Sequence, residues 1–154
     1  MTLDDYFQIG VTVTLGSHTF DKEAIIAFAR KYDPQPFHVD EEAARTGVLG
    51  GLCASGWHTA AAWMKCNLSA AARRRGWDGP GPEPVFGPSP GFSNMKWLKP
   101  VRAGETVTYK RTALGHRPLA SRPGWRLLSL KAEGFDSSGE KVIEFDSAVL
   151  VRTR

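Results

Sequence analysis

Hydrophobic positions near the start of the chain follow the spacing of a helix. Four apolar side chains recur at the positions of one helical face: Ile25, Phe28, Ala29 and Tyr32. Asp21 precedes them as a good N-cap residue, and Pro34 disfavours helical geometry at Asp33. The pattern predicts a helix that begins near Asp21, ends at residue 32 or 33 and buries those four side chains.

Two further helices are predicted before residue 76. A short one fits residues 40–46, with Asp40 as its N-cap. After the apolar, glycine-rich stretch 47–56, the segment 57–75 predicts the longest helix, and Ser55 is its candidate N-cap. Because the middle of this helix is small and apolar, we expect it to lie against a sheet over much of its circumference.

The pattern changes after the long helix. Residues 76–91 hold five prolines and five glycines, which predicts a loop, either an ordered lid or a disordered linker. Alternating positions then predict antiparallel strands over residues 92–98, 106–114, 128–133 and 143–151, separated by turns at 100–105 and 136–139. Helices followed by antiparallel strands indicate an α+β fold in which the sheet covers the long helix.

Composition and charge narrow the classes of protein to which this chain can belong. A chain of 154 residues with 42% hydrophobic and 23% charged residues predicts one domain, 1–154, with a substantial core. The net charge of +4 favours anionic partners, but the only basic cluster, residues 73–75, fits a helix end, so nucleic acid is not expected. Cys53 and Cys66 have no metal-ligand spacing. With no leader and no apolar run of about 20 residues, a cytoplasmic protein without a membrane partner is expected.

The segment around Asp33 and His38 carries the candidate chemistry. A carboxylate and an imidazole stand five residues apart, and Pro34 and Pro36 stiffen the backbone between them. Fixed geometry is what a proton-transfer site requires. From spacing alone, two interpretations stay open: an acid–base pair, or a turn aspartate beside a satisfied surface histidine.

Three motifs in order resemble those of a known family. Its signature has the form D-x-N-P-x-H-x-D, which Asp33, Pro36, His38 and Asp40 match. An apolar segment that opens the long helix follows at residues 54–56, and residues 97–107 are similar to a later “KPV…GDTV” turn. From about residue 6 onward, the chain resembles the MaoC-like dehydratases, a group that includes the (R)-specific enoyl-CoA hydratases.

The resemblance implies a hot-dog fold, in which a curved antiparallel sheet wraps a long central helix. It implies a hydro-lyase of acyl-CoA metabolism that reversibly adds water to a 2-enoyl-CoA, as a homodimer or a dimer of dimers. Asp33 and His38 would hold the water and transfer protons, and Gly56 would offer its backbone N–H to the thioester oxygen. These roles need acid–base groups and an oxyanion donor, so no metal and no cofactor besides the CoA of the substrate is expected.

Two positions depart from the family pattern and join the candidate substrate-binding residues. Gln35 stands where the family usually has Asn, and Ser55 stands where it often has His before the glycine. Trp57 either narrows an acyl channel or is a core aromatic, and His58 is either structural or a displaced catalytic partner. His116 is expected at the surface, in a turn.

Other functions remain open at this point. The chain can also be read as a non-catalytic module that binds an acyl thioester or small ligand, or, less favoured, as an acyl-CoA thioesterase. Basic side chains are expected to meet the CoA phosphates. The sequence does not rank the candidates, which include Lys96, Lys99, Arg102 and Arg73.

Overall fold

The computed structural model describes residues 1–74 and 76–154. Its helices are α1 (Leu3–Phe7), α2 (Lys22–Tyr32), α3 (Pro36–Val39), α4 (Glu41–Thr46) and α5 (Gly56–Ala71). Its strands are β1 (Thr12–Thr19), β2 (Val85–Phe86), β3 (Gly91–Trp97), β4 (Thr106–Pro118), β5 (Trp125–Phe135) and β6 (Lys141–Arg152).

All six strands form one antiparallel sheet. The order is β1-β4-β5-β6-β2, and β3 also pairs with β6, along the half of that strand that β2 leaves uncovered. The sheet curls around α5, which contacts β1, β4 and β6. This arrangement confirms the predicted α+β hot-dog fold.

The core lies between α5 and the concave face of the sheet. Trp63, the largest fully buried side chain of the helix, packs edge-on against Phe145 and donates its indole N–H to the Lys110 carbonyl oxygen. The hydroxyl of buried Tyr109 donates to the Thr59 carbonyl oxygen at 2.8 Å. Buried polar groups need such partners, and these bonds hold α5 at one depth in the sheet.

The predicted helices occur, with three corrections. Tyr32 is 69% exposed at the end of α2, so only part of the predicted face is buried, namely Ile25 and Ala29. Helix α5 ends at Ala71, before the basic cluster, of which Arg75 lies outside the described residues. Elements α1, β1, α3 and β2 were not predicted: α3 and β2 lie in segments read as loops, and β1 is rich in threonine with one face mostly exposed.

The proline- and glycine-rich segment 76–91 is packed against the rest of the chain where the structure describes it. Trp77 contacts Tyr6 edge-on at a centroid distance of 5.4 Å and donates its indole N–H to the Gly81 carbonyl oxygen. Val85 and Phe86 form β2. These contacts favour the ordered loop over the disordered linker. In the described part of the chain, no helix is long and apolar enough to cross a membrane.

Candidate active site

Two prolines place the candidate acid–base pair on rigid backbone. Asp33 is the C-cap of α2, where its N–H still donates to the Ala29 carbonyl oxygen but its φ and ψ have left the helical region. Pro36 is the first residue of α3, a one-turn helix that carries His38. The turn between the helices folds the two side chains toward each other.

Asp33 and His38 meet inside the protein. The Asp33 Oδ2 atom lies 3.3 Å from His38 Nε2, and the side chains are 17% and 7% exposed. The His38 Nδ1 atom is 2.6 Å from the Cys53 carbonyl oxygen. A carbonyl only accepts, so Nδ1 carries a proton and the second ring nitrogen, Nε2, faces the carboxylate. When Nε2 carries no proton, it and Oδ2 are two acceptors that one water can bridge with its two hydrogens.

Both departures from the family signature supply hydrogen bonds to Asp33. The Ser55 hydroxyl donates to Oδ2 at 2.7 Å, and the Gln35 amide donates to Oδ1 at 2.6 Å. Burial raises the pKa of Asp33, but these two bonds and the neighbouring His38 lower it further than burial raises it, so the net pKa is below the ordinary value. The carboxylate is therefore ionised and fixed in orientation.

The start of α5 borders the same cleft. Ser55 is the N-cap, and its Oγ accepts from the Trp57 N–H at 3.3 Å. Gly56 is the first residue of the helix, so its N–H has no partner one turn back. The indole of Trp97 explains the glycine, because a Cβ added there would lie 2.3 Å from a ring carbon. A close approach, rather than an unusual φ, requires Gly at position 56.

A cleft of about 360 Å³ brings the predicted site residues together. Asp33, Gln35, His38 and Gly56 line it directly, and Ser55 supports it from the fully buried N-cap position. Trp57 also lines the cleft; its side chain is 50% exposed and contacts Trp97 edge-on at 5.1 Å. Trp57 is therefore a wall of the cleft and not a core aromatic. Spacing alone did not predict that Trp97, 40 residues further on, lines the cleft beside Trp57.

The other candidates have different surroundings. The Lys99 ammonium, at the rim of the cleft, pairs with Asp136 and Glu140, which raise its pKa, so it is already neutralised in part. Lys96 and Arg102 are exposed near the cleft, whereas Arg73 lies beyond the far end of α5.

Two histidines lie outside the pair. His58 stacks on Phe28 at 4.5 Å, and its Nδ1 atom is buried without a hydrogen-bond partner among residues 1–74 and 76–154. These surroundings are those of a structural histidine. His116 is not in a surface turn: it lies on β4, its side chain is 9% exposed, and it bonds to Asp4 and Arg126. The extension of β4 beyond its predicted end accounts for that error.

A curled sheet around a central helix, with an acid–base pair at the N-terminus of that helix, defines a hot-dog protein with a candidate proton-transfer site. A family model described as a MaoC like domain matches residues 6–122. The chain therefore belongs to the MaoC-like family, which at family level is one of hydratases and dehydratases.

Individual relatives agree with the family match. The MaoC-like dehydratase from Rhodospirillum rubrum has 32% identity and a TM-score of 0.78, over 100% of this chain and 98% of that one. An (R)-hydratase from A. caviae involved in PHA biosynthesis shares the fold, with 20% identity and a TM-score of 0.66 over 92% and 94%. The uncharacterized protein YdeM of Bacillus subtilis (strain 168) is 28% identical over 152 residues, 99% of each chain.

Proposed function

We propose that this protein reversibly adds water across the double bond of a 2-enoyl-CoA thioester. The observation that carries the proposal is the pair of acceptors, Asp33 Oδ2 and His38 Nε2, held 3.3 Å apart beside the start of α5. A water that bridges the two atoms from the cleft side donates one hydrogen to each and keeps an oxygen lone pair for the substrate. The hydratase and dehydratase character of the family supports the same reaction.

The pair then performs general acid–base catalysis. As the water oxygen bonds to C3 of the substrate, a proton of that water passes to the pair, and a proton returns from the pair to C2 on the same face. The water is thereby added as hydroxyl and hydrogen, and the pair ends in its starting state. Such proton transfers contribute about 10²–10⁴-fold to a rate.

The start of α5 stabilises the charge that develops during addition. Attack at C3 moves electrons onto the thioester oxygen. Gly56 lines the cleft at the first position of α5, so its N–H is the proposed donor to that oxygen, with the helix dipole behind it. Removing one such donor from an oxyanion hole raises the activation free energy by roughly 3–4 kcal/mol. Acid–base groups and this donor suffice, so the proposed reaction takes CoA within its substrate and no separate cofactor.

A second copy of the chain is the proposed structural partner. Within the described part of the chain, strand β3 pairs along one edge only, with β6. The side chains along and beside it are exposed: Phe92 (55%), Trp97 (46%), Leu98 (50%) and Trp57 (50%). An exposed apolar strand edge is a template for pairing with another strand. We propose a homodimer joined along β3, which would cover these side chains and enclose the cleft.

The test is loss of the conjugated enoyl-thioester absorbance with trans-2-enoyl-CoAs of increasing length. Wild type should consume the band and form a 3-hydroxyacyl-CoA, whereas Asp33→Asn and His38→Ala should not. The matched control is Asp4→Asn, a carboxylate that also pairs with a histidine but lies far from the cleft. Free CoA thiol as the product would identify a thioesterase, and binding without turnover would identify a non-catalytic module.

A further inference from the structure

A second cavity lies under the C-terminal half of α5 and contains a positive charge. It has a volume of about 400 Å³, within the range of ligand pockets. Its apolar walls come from the helix and from strands β5 and β6, and include Trp63, Met64, Leu68, Leu128, Leu130 and Val149. We call this space, with the Arg111 side chain that reaches it, the arginine cavity.

Arg111 points into the protein because of its register on β4. Side chains alternate along a strand, and Tyr109 and Ala113, two positions to either side, are both buried on the concave face. Arg111 therefore occupies a core-facing position between two hydrophobic clusters, one containing Tyr109 and the other Ala113. An aliphatic residue would be expected there.

The Arg111 guanidinium has little to balance its charge. Its Nη1 donates to the Asn67 side-chain oxygen at 2.8 Å, and no carboxylate among the described residues forms an ion pair with it. A nearby cation, Arg74, lies over the Phe86 ring at 4.1 Å and lines the cavity as well. A partly buried charge of this kind is costly unless an opposite charge joins it.

The carboxylates that line a neighbouring cavity with these arginines have other partners. Arg111 and Arg74 also line an outer, more polar cavity of about 620 Å³, together with Arg73, Asp5 and Asp78. Asp5 closes the capping box of α1 with Thr2, and Asp78 lies 3.4 Å from the N-terminal amine. Burial and the charge of Arg74 lower the pKa of Arg111, as expected for a cation without a counter-ion.

We propose that the arginine cavity binds a medium-chain carboxylic acid, with the apolar chain among the α5, β5 and β6 side chains and the carboxylate on Arg111. A guanidinium matches a carboxylate in geometry, and the amide N–H₂ of Asn67 can add a hydrogen bond. The site shares no lining residue with the cleft at Asp33, so it goes beyond the proposed hydratase and does not depend on it.

The test uses octanoate as the probe and octanamide as its uncharged isostere, titrated into the full chain by calorimetry. Wild type should bind octanoate about 10-fold to 100-fold more tightly than octanamide, the range expected for hydrogen bonds to a charged group. Arg111→Met should remove that preference while still binding octanamide, and Arg111→Lys should restore part of it. The matched control, Arg117→Met, changes an exposed arginine of the same strand and should behave as wild type.

Three results would overturn the proposal. Equal binding of octanoate and octanamide by wild type is the first, and it needs no variant to fold. A preference that survives in Arg111→Met is the second. The third is loss of octanoate binding in Asp33→Asn, which would locate the acid in the cleft instead; the same variant that fails to hydrate enoyl-CoA should bind octanoate normally.

Discussion

The charged side chains at the two ends of α5 differ in how well neighbouring groups balance them. At its N-terminus, the Asp33 carboxylate accepts hydrogen bonds from Ser55 and Gln35 and faces His38, so this charged group has several partners. Under its C-terminal half, Arg111 has one neutral acceptor, Asn67, and another cation nearby. A satisfied site orients groups for chemistry, whereas an unbalanced charge beside apolar walls favours a ligand that brings the missing charge.

The largest expected effect separates the two ends directly. Asp33→Asn removes the negative charge but keeps the shape of the side chain, so we expect turnover of enoyl-CoA to fall by at least about 10²-fold. The measurement is the initial rate of loss of the enoyl-thioester band, with octanoate binding measured on the same preparation. Turnover near the wild-type rate would remove Asp33 from the mechanism, and loss of octanoate binding would locate the acid in the cleft instead of under the C-terminal half of α5.

The next effect depends on the contact between Gly56 and Trp97. A methyl group in Gly56→Ala would collide with the indole and displace the start of α5, and a displacement of about 1 Å can cost about 10²-fold in rate. We therefore expect turnover to fall by about 10–100-fold. In the Trp97→Ala background the added methyl has space, so the further loss caused by Gly56→Ala should nearly vanish. An equal loss in both backgrounds would contradict the steric account.

A smaller effect concerns stability at the cavity end. Removing the charge of Arg111 in Arg111→Met should leave the free energy of unfolding unchanged or raise it by about 1 kcal/mol, because an uncompensated charge leaves the protein interior. Urea denaturation without ligand is the measurement, with Arg117→Met beside it. Clear destabilisation would mean that Arg111 has a structural role and would weaken its assignment as a ligand contact.

The pH dependence of stability tests a group near the active end that takes no part in the proposed chemistry. Burial, then the charge of His18, lowers the pKa of His58 to about 4, against a small opposing effect of Asp21. The unfolded chain therefore binds a proton near pH 6.5, before the folded chain does, and the stability present above that pH should decline as the pH falls towards 4. In His58→Phe, the denaturation midpoint should change less with pH across this window. A pH dependence equal to that of wild type would contradict the assignment.

The smallest expected effect comes from Gln35→Asn. The shorter amide should weaken the hydrogen bond to Asp33 and reshape the cleft, with a shift in chain-length preference of a few-fold and little change in stability. A panel of enoyl-CoAs of different length measures the preference, and Gln8→Asn, outside the cleft, is the matched control. Equal selectivity across the panel would show that Gln35 only orients the carboxylate.

Much of the active end was predictable because its information is local. Prolines at 34 and 36 restrict the backbone between Asp33 and His38, and caps at Asp21, Asp40 and Ser55 place the starts of three helices. Each of these effects acts within a few residues, so the sequence pattern was enough to predict α2, α4 and the start of α5. The roles of Asp33, His38, Gly56, Gln35 and Ser55 in catalysis remain proposals.

Only the tertiary structure decided the side-chain positions that depend on pairing between strands distant in the sequence. Trp97 reaches Gly56 because β3 pairs with β6, and Arg111 faces inward because its register on β4 places it between Tyr109 and Ala113. His116 was wrongly predicted in a turn because the pairing of β4 with β5 continues past residue 114. By itself, the sequence determined the local geometry of the acid–base loop and the class of fold. Strand register decided which side chains line the two cavities, because a shift of one residue in the pairing would move each side chain to the other face of the sheet.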